Sequence, residues 1–250
     1  NSNNGTVTNN VTANNNGIVN NIVHLNNTDG TVSNNQSFNN PNGTINNTVE
    51  AANNGTFANQ QSFNNPNGTI NNTVEATNNG TFANKQTFNN SNGTINNTIG
   101  AINNGTFANN QFLTNPNGNI NNTIGLINNG TFTNQQSLNN PNGTINNTVE
   151  AINNGTFANQ QSFNNSNGTL NNSVSVNNFN HSSTNVSQSI QANSSNISSS
   201  LAADSSNSTL NHSASVAANN SNVSSHSEDN LTDSTLVVKS NTTAVNSTLD

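Results

Sequence analysis

Residues 46–170 of this chain spell one 25-residue phrase five times without a gap, and that constrains the chain to an array of like units stacked or strung in space. The unit reads NNTVEAANNGTFANQQSFNNPNGTI from Asn46 to Ile70 and returns from Asn71, Asn96, Asn121 and Asn146, the last copy closing at Leu170. A looser copy runs from Asn21 to Ile45, with Val32 where the others carry Phe. In register, Gly55, Gly80, Gly105, Gly130 and Gly155 share one column, and Phe57, Phe82, Phe107, Phe132 and Phe157 another. The array covers roughly 21–175; residues 1–20 read as a degenerate leading repeat and 176–250 as a Ser/Thr/Asn-rich tail.

Each unit holds the Gly-Thr-apolar step twice, as Gly55-Thr56-Phe57 and Gly68-Thr69-Ile70, which divides it into two half-units with one strand apiece. Period-two alternation fits both halves. Phe57, Asn59, Gln61 and Phe63 share one face, and Ile70, Asn72, Val74 and Ala76 share another, with Thr69, Asn71, Thr73 and Glu75 pointing away. Between the halves, Asn-Asn-Gly and Asn-Pro-Asn-Gly are turn sequences, because Asn and Gly tolerate positive φ. The fold expected is all-β: a β-solenoid in which each strand pairs with its equivalent one repeat along, about 4.8 Å away. Phe57 then stacks over Phe82 and Phe107, and inward Asn72 over Asn97, as amide ladders allow. Column 52 (Ala52, Thr77, Ile102, Ile127, Ile152) breaks the apolar-inward pattern and is assigned to a corner. A disordered Asn-rich tract is the competing reading.

Only 27% of residues are apolar and 4% charged, against roughly 45–50% and 25% in ordinary globular domains, so a conventional core is not expected. The low charge also differs from the usual disordered class. Two basic residues exclude the electrostatic footprint of a nucleic-acid binder. No basic amphipathic segment suits a membrane surface, and no apolar run is long enough to span a bilayer. There is no leader-like segment at Asn1, so a secreted form is expected to be mature or a fragment. Absence of cysteine says only that disulfides contribute nothing.

The phrases PNGTINNT at Pro41, Pro66 and Pro141 and NNGTFAN at Asn53, Asn103 and Asn153 resemble those of repetitive surface adhesins of bacteria and archaea, the filamentous-haemagglutinin-like β-helices. The two-strand unit with inward Asn and Gln is also similar in plan to curli-type biofilm subunits, although their Gln-x-Gly-x-Asn spacing is absent. Both resemblances cover the array and not the tail, and both imply a surface-exposed, non-enzymatic role.

The acceptor triplet N-x-[S/T] is the second signal. In the tail, 28 of 75 residues are Ser or Thr, so chance would put about 5 of its 14 asparagines (14 × 28/75) two places before a hydroxyl. Eleven are so placed: Asn180, Asn185, Asn193, Asn196, Asn207, Asn211, Asn219, Asn222, Asn230, Asn241 and Asn246. In the array, Asn46, Asn71, Asn96, Asn121 and Asn146 head N-N-T and Asn171 heads N-N-S. Asn54, Asn79, Asn104, Asn129 and Asn154 head N-G-T at one turn, and Asn42, Asn67, Asn92, Asn142 and Asn167 at the other, where Asn117 fails because Asn119 replaces Thr. Dense N-glycosylation and a secretory or cell-surface route are therefore expected, with covalent glycans and no cofactor. In the array alone, N-G-T also reads as turn sequence copied with the repeat. Sugars on equivalent asparagines about 4.8 Å apart would crowd, which leaves partial occupancy, glycans fanned from corners, or a more extended repeat.

Other chemistry is thin. His24, His181, His212 and His226 lack metal-site spacing and read as solvated. Glu50, Glu75 and Glu150 share a column with Gly100 and Gly125, and neighbouring carboxylates there repel by about 1 kcal/mol in water-like surroundings. No nucleophile elbow or phosphate loop is present. A surface with few titrating groups suits an acidic or saline exterior. The tail stretch Ser234–Lys239 is a candidate strand for another subunit's open edge, giving head-to-tail homopolymers; a flexible glycosylated stalk is the plainer alternative. Three functions follow: an extracellular structural glycoprotein forming a surface fibre, an adhesin segment that binds neighbouring cells or surface glycans, or an ice-binding solenoid presenting Thr73, Thr98, Thr123 and Thr148.

Overall fold

The computed structural model describes residues 5–246 and 248–249, which form twenty strands and, among the described residues, no helix. One ten-stranded sheet contains, in spatial order, β1 (Thr6–Asn14), β3 (Thr31–Asn39), β5 (Thr56–Asn64), β7 (Thr81–Asn89), β9 (Thr106–Thr114), β11 (Thr131–Asn139), β13 (Thr156–Ser166), β15 (Ser183–Asn193), β17 (Thr209–Asn219) and β19 (Thr235–Val245). The other contains β2 (Ile18–Asn27), β4 (Thr44–Asn53), β6 (Thr69–Asn78), β8 (Thr94–Asn103), β10 (Asn119–Asn128), β12 (Thr144–Asn153), β14 (Thr169–Asn178), β16 (Asn196–Ser206), β18 (Asn222–Thr232) and β20 (Thr248–Leu249). Every pairing is parallel and in register with the repeat, so Phe57 lies beside Phe82 and Asn72 beside Asn97. The molecule is the expected β-solenoid with two strands per coil.

Alternation decides what faces inward, and the inward rows explain how so polar a chain closes a core. In β5 the burial alternates from Thr56 outward to Phe57 inward and onward to Phe63. At one end of each coil, phenylalanines such as Phe57, Phe82 and Phe107 pack with Val74, Ile99 and their neighbours. At the opposite end, Phe38, Phe63 and Phe88 pack with Ile45, Ile70 and Ile95. Most rings stack along the axis, with centroids 4.7 Å apart for Phe57 and Phe82 and 4.6 Å for Phe82 and Phe107. Between these apolar ends run three buried amide rows, through Asn59, Gln61 and Asn72. Asn59 Nδ2 donates to Asn84 Oδ1 at 2.7 Å and Asn72 Nδ2 to Asn97 Oδ1 at 2.8 Å, so most amides in these rows exchange water for an identical neighbour. The low apolar content is thus compatible with a closed interior.

The glycines act through stacking, which corrects the expectation of positive φ: no described glycine has one. A Cβ on Gly68 would stand 1.8 Å from the Gly43 carbonyl oxygen of the coil beneath, and one on Gly93 would stand 1.7 Å from that of Gly68. Small residues are needed because successive turns touch through their backbones. Beneath the turns, Asn53 Nδ2 donates to the Gly55 carbonyl at 3.0 Å and to Asn78 Oδ1 at 2.8 Å, pinning each turn to the next.

The change of sequence at Val176 is a change of turn chemistry within continuous sheets. β13 pairs with β15 with a step of 27 residues (Thr156 to Ser183), after which the step settles at 26 (Ser183 to Thr209). No glycine follows Gly168. Instead a residue in the left-handed region recurs every 13 positions, at His181, Ser194, Asn207, Asn220, Asp233 and Asn246, with φ between 49° and 64°. In the first five turns a serine follows it, and Ser195, Ser208 and Ser234 hydroxyls bond turn carbonyls at 2.7–3.1 Å. Two earlier expectations change accordingly. Ser234–Lys239 lies mostly in β19, which pairs with β17 of its own chain and is the edge strand of its sheet, so the stretch is part of the solenoid itself and only its outer edge faces a further strand. Column 52 sits inside a strand and points outward, Ile102, Ile127 and Ile152 being 45–47% exposed, because alternation continues to Asn53.

Candidate functional site

Strand alternation places the acceptor asparagines. In β4, Asn46 and Thr48 point outward while Asn47 and Val49 point inward, so N-x-T heads and their hydroxyls share the outer face. In the array, Asn46, Asn71, Asn96 and Asn121 are half-buried and Asn146 and Asn171 exposed. The turn heads Asn54, Asn79, Asn104, Asn129 and Asn154, and Asn42, Asn67, Asn92, Asn142 and Asn167, are all exposed. In the tail, Asn180, Asn185, Asn193, Asn196, Asn207, Asn219, Asn222, Asn230, Asn241 and Asn246 are exposed and Asn211 is half-buried. Among the described residues, no fully buried asparagine heads a triplet. For strand positions the reason is period two: an inward Asn is followed two places on by an inward apolar or amide residue, as Asn47 by Val49 and Asn59 by Gln61. Five further heads, Asn10, Asn26, Asn35, Asn89 and Asn164, are exposed as well; the same triplet marks them, outside the columns that the repeat made conspicuous.

Most of the array's acceptor nitrogens are already engaged. Asn71 Nδ2 donates to Asn46 Oδ1 at 2.8 Å, Asn96 to Asn71 at 2.8 Å and Asn146 to Asn121 at 2.9 Å. At the turns Asn79 donates to Asn54 at 3.0 Å and Asn92 to Asn67 at 3.0 Å. A glycosylated Nδ2 keeps one hydrogen, so a linkage is compatible with a ladder, whereas sugars on every rung of a stack spaced about 4.8 Å are not. The array's outer ladders therefore favour sparse occupancy.

The remaining polar groups are dispersed. His24 Nδ1 lies 2.7 Å from Glu50 Oε2 on the exposed outer face, with Glu75 the next rung. His226 and Glu228 are exposed and 3.9 Å apart, and His181 occupies a turn. His212 corrects the expectation that every histidine is solvated: it points inward from β17, and burial pushes its imidazole below its usual value despite the opposing charge of Asp229. Among the described residues, no group of three or more His, Asp or Glu is gathered for a metal ion.

Two grooves run along the axis on the outer faces. One, of about 940 Å³, passes over the Glu50, Glu75, Gly100, Gly125, Glu150 column and the exposed isoleucines beside it. The outward threonines Thr73, Thr98, Thr123 and Thr148 flank the Asn71 ladder on the same sheet. Searches of protein-family models, of curated proteins and of solved structures find no match to this chain.

Proposed function

We propose that the chain is a non-enzymatic structural glycoprotein of an extracellular surface fibre, in which parallel coils provide the shaft and N-linked sugars part of its outer surface. The single observation that supports this reading most is segregation: laddered amides and rings fill the interior, and every acceptor triplet head among the described residues faces solvent. Nearly every backbone edge between coils is satisfied in register, which suits a long, stiff object more than a compact binding domain. Lengthening by further coils, including coils of a second copy pairing head to tail, uses the same parallel register. The resemblance of the PNGTINNT and NNGTFAN phrases to those of repetitive surface adhesins points to the same reading.

A second reading, an adhesin segment, is supported by the exposed apolar stripe Ile102, Ile127 and Ile152 in a groove whose lining holds a single acceptor head, Asn26, at its N-terminal end. Intact mass and glycopeptide mapping of native material separate the readings. Sugars on the tail acceptors Asn180, Asn193 and Asn207, with sparse occupancy along the Asn71 ladder, are the expected result. A mass equal to the bare 26.0 kDa chain would remove the glycoprotein reading and leave an unglycosylated solenoid adhesin.

A further inference from the structure

We infer that the outer face around Phe112 is a binding subsite for a neutral hexopyranose. Phe112 interrupts an outward row that otherwise reads Ser62, Thr87, Ser137, Ser162 and Ser189, so an aromatic ring, 43% exposed, rises from a file of short hydroxyls. The next two rungs are serines, and their shortness leaves a hollow of about 200 Å³ on the C-terminal side of the ring. Phe112 closes one end of it, Ser137 and Ser162 belong to its floor, and Gln135 and Gln160 flank it. Gln135 Nε2 donates to Gln160 Oε1 at 3.1 Å, which leaves the Gln135 carbonyl oxygen and the Gln160 amide nitrogen for a ligand. Asn110, two residues before the ring on the same face, also lines the hollow, and its Oδ1 is buried without a protein donor.

The lining selects the ligand class. It holds no charged residue, so an ionic ligand gains no partner. An aliphatic side chain would cover amides and hydroxyls without bonding them, at a desolvation cost. A pyranose presents an apolar C–H face to an aromatic ring and hydroxyls at its edge, which matches one ring wall beside amides and serines. This site does not depend on the fibre reading: it needs neither glycosylation nor polymerisation. A foreign polysaccharide and the N-glycans of a neighbouring copy both offer this ring chemistry.

Saturation-transfer NMR on the full chain, with methyl glycosides of glucose, galactose and mannose at about 10 mM, tests the proposal at the millimolar affinity expected of a single shallow subsite. Transfer should reach the C–H protons of at least one pyranose, vanish in Phe112→Ser, which restores the residue type of the row, and strengthen in Phe112→Trp. Circular dichroism of the variants should be unchanged, since the side chain is on the surface. No transfer to any of the three sugars either before or after enzymatic removal of N-glycans, or transfer retained in Phe112→Ser, would overturn it. Repeating the titration before and after enzymatic removal of N-glycans identifies the source: binding in both states indicates a foreign sugar, and binding only after removal indicates occupation by the chain's own.

Discussion

Asn72 and Gln61 stand on opposite sheets of one coil and are joined across its interior, Asn72 Nδ2 donating to Gln61 Oε1 at 3.1 Å. The same nitrogen donates to Asn97 Oδ1 one coil on, at 2.8 Å, while Gln61 Nε2 donates backwards to Gln36 Oε1 at 2.9 Å. The asparagine and glutamine rows thus run in opposite directions, and their amide dipoles oppose each other. A buried net of this kind is stabilising only while complete. Where it ends, amides lose partners: Gln36 Nε2, beside Val11, and Asn159 Nδ2, beside Val186, have none.

Breaking the net from within should therefore be costly. Asn97→Leu removes the acceptor of Asn72 and the donor to Asn122, and is expected to destabilise by about 1–3 kcal/mol for each buried group left unpaired. Asn96→Ala, one residue away but in the outer ladder, should change stability by no more than about 0.5 kcal/mol. Urea unfolding of the unglycosylated chain compares them, and equal effects would mean that the inner ladder contributes no more than the outer.

The phenylalanine stacks make a parallel comparison. Phe82 lies fully buried between Phe57 and Phe107, and Phe82→Ala should cost about 3–5 kcal/mol from lost burial and the cavity left behind. Phe112→Ala deletes the same ring from the outer surface and should move the thermal midpoint little. A large shift on losing Phe112 would show that its ring packs against the coils.

Much of this was readable in the sequence because a gapless repeat dictates its own register. Once Phe57 recurs at Phe82, parallel pairing puts like on like, and the inward faces of β5 and β6 follow from period two. The role of glycine was less legible, since Asn-Gly signals a turn whether the need is positive φ or close approach, and only the distance from Gly68 to the Gly43 carbonyl distinguishes them. The tail hid its period because its turns conserve a geometry and not a residue. His181, Ser194, Asn207 and Asp233 all adopt the left-handed conformation, and the one letter common to every turn is the serine that follows. The acceptor surface was legible through its triplets, but their engagement in outer ladders required the structure.

Glycine offers a test that separates close approach from strand propensity. Gly68→Ala places a methyl group 1.8 Å from a carbonyl oxygen already held by Thr69 N–H and Asn65 Nδ2, so the coils on either side must part and stability should fall. At Gly100 a Cβ meets nothing within 4 Å, and Gly100→Ala should raise stability by about 0.5–1 kcal/mol through the smaller entropy of the unfolded chain. Thermal melting of both variants decides it; a stabilised Gly68→Ala would refute the stacking account.

His212 gives the last coils a pH dependence. Its ring nitrogens lack hydrogen-bond partners, Val186 and Val238 are its neighbours along the sheet, and Asp229 is the charged group facing it from β18. Burial lowers its pKa from 6.5, with Asp229 partly opposing. Between the lowered folded value and the ordinary unfolded one, the unfolded chain binds more protons. The stability of these coils is therefore intact above the unfolded value and is lost as pH falls through the folded one. His212→Val would continue a valine row from Val186 to Val238, remove the unpaired nitrogens and stabilise by about 1 kcal/mol at neutral pH. Amide hydrogen exchange in β17 and β19 should accelerate in the wild type as pH is lowered below the ordinary histidine range, after correction for intrinsic rates, and the acceleration should be reduced in His212→Val. An identical acid response in the two proteins would assign the loosening to Asp229 and its acidic neighbours instead.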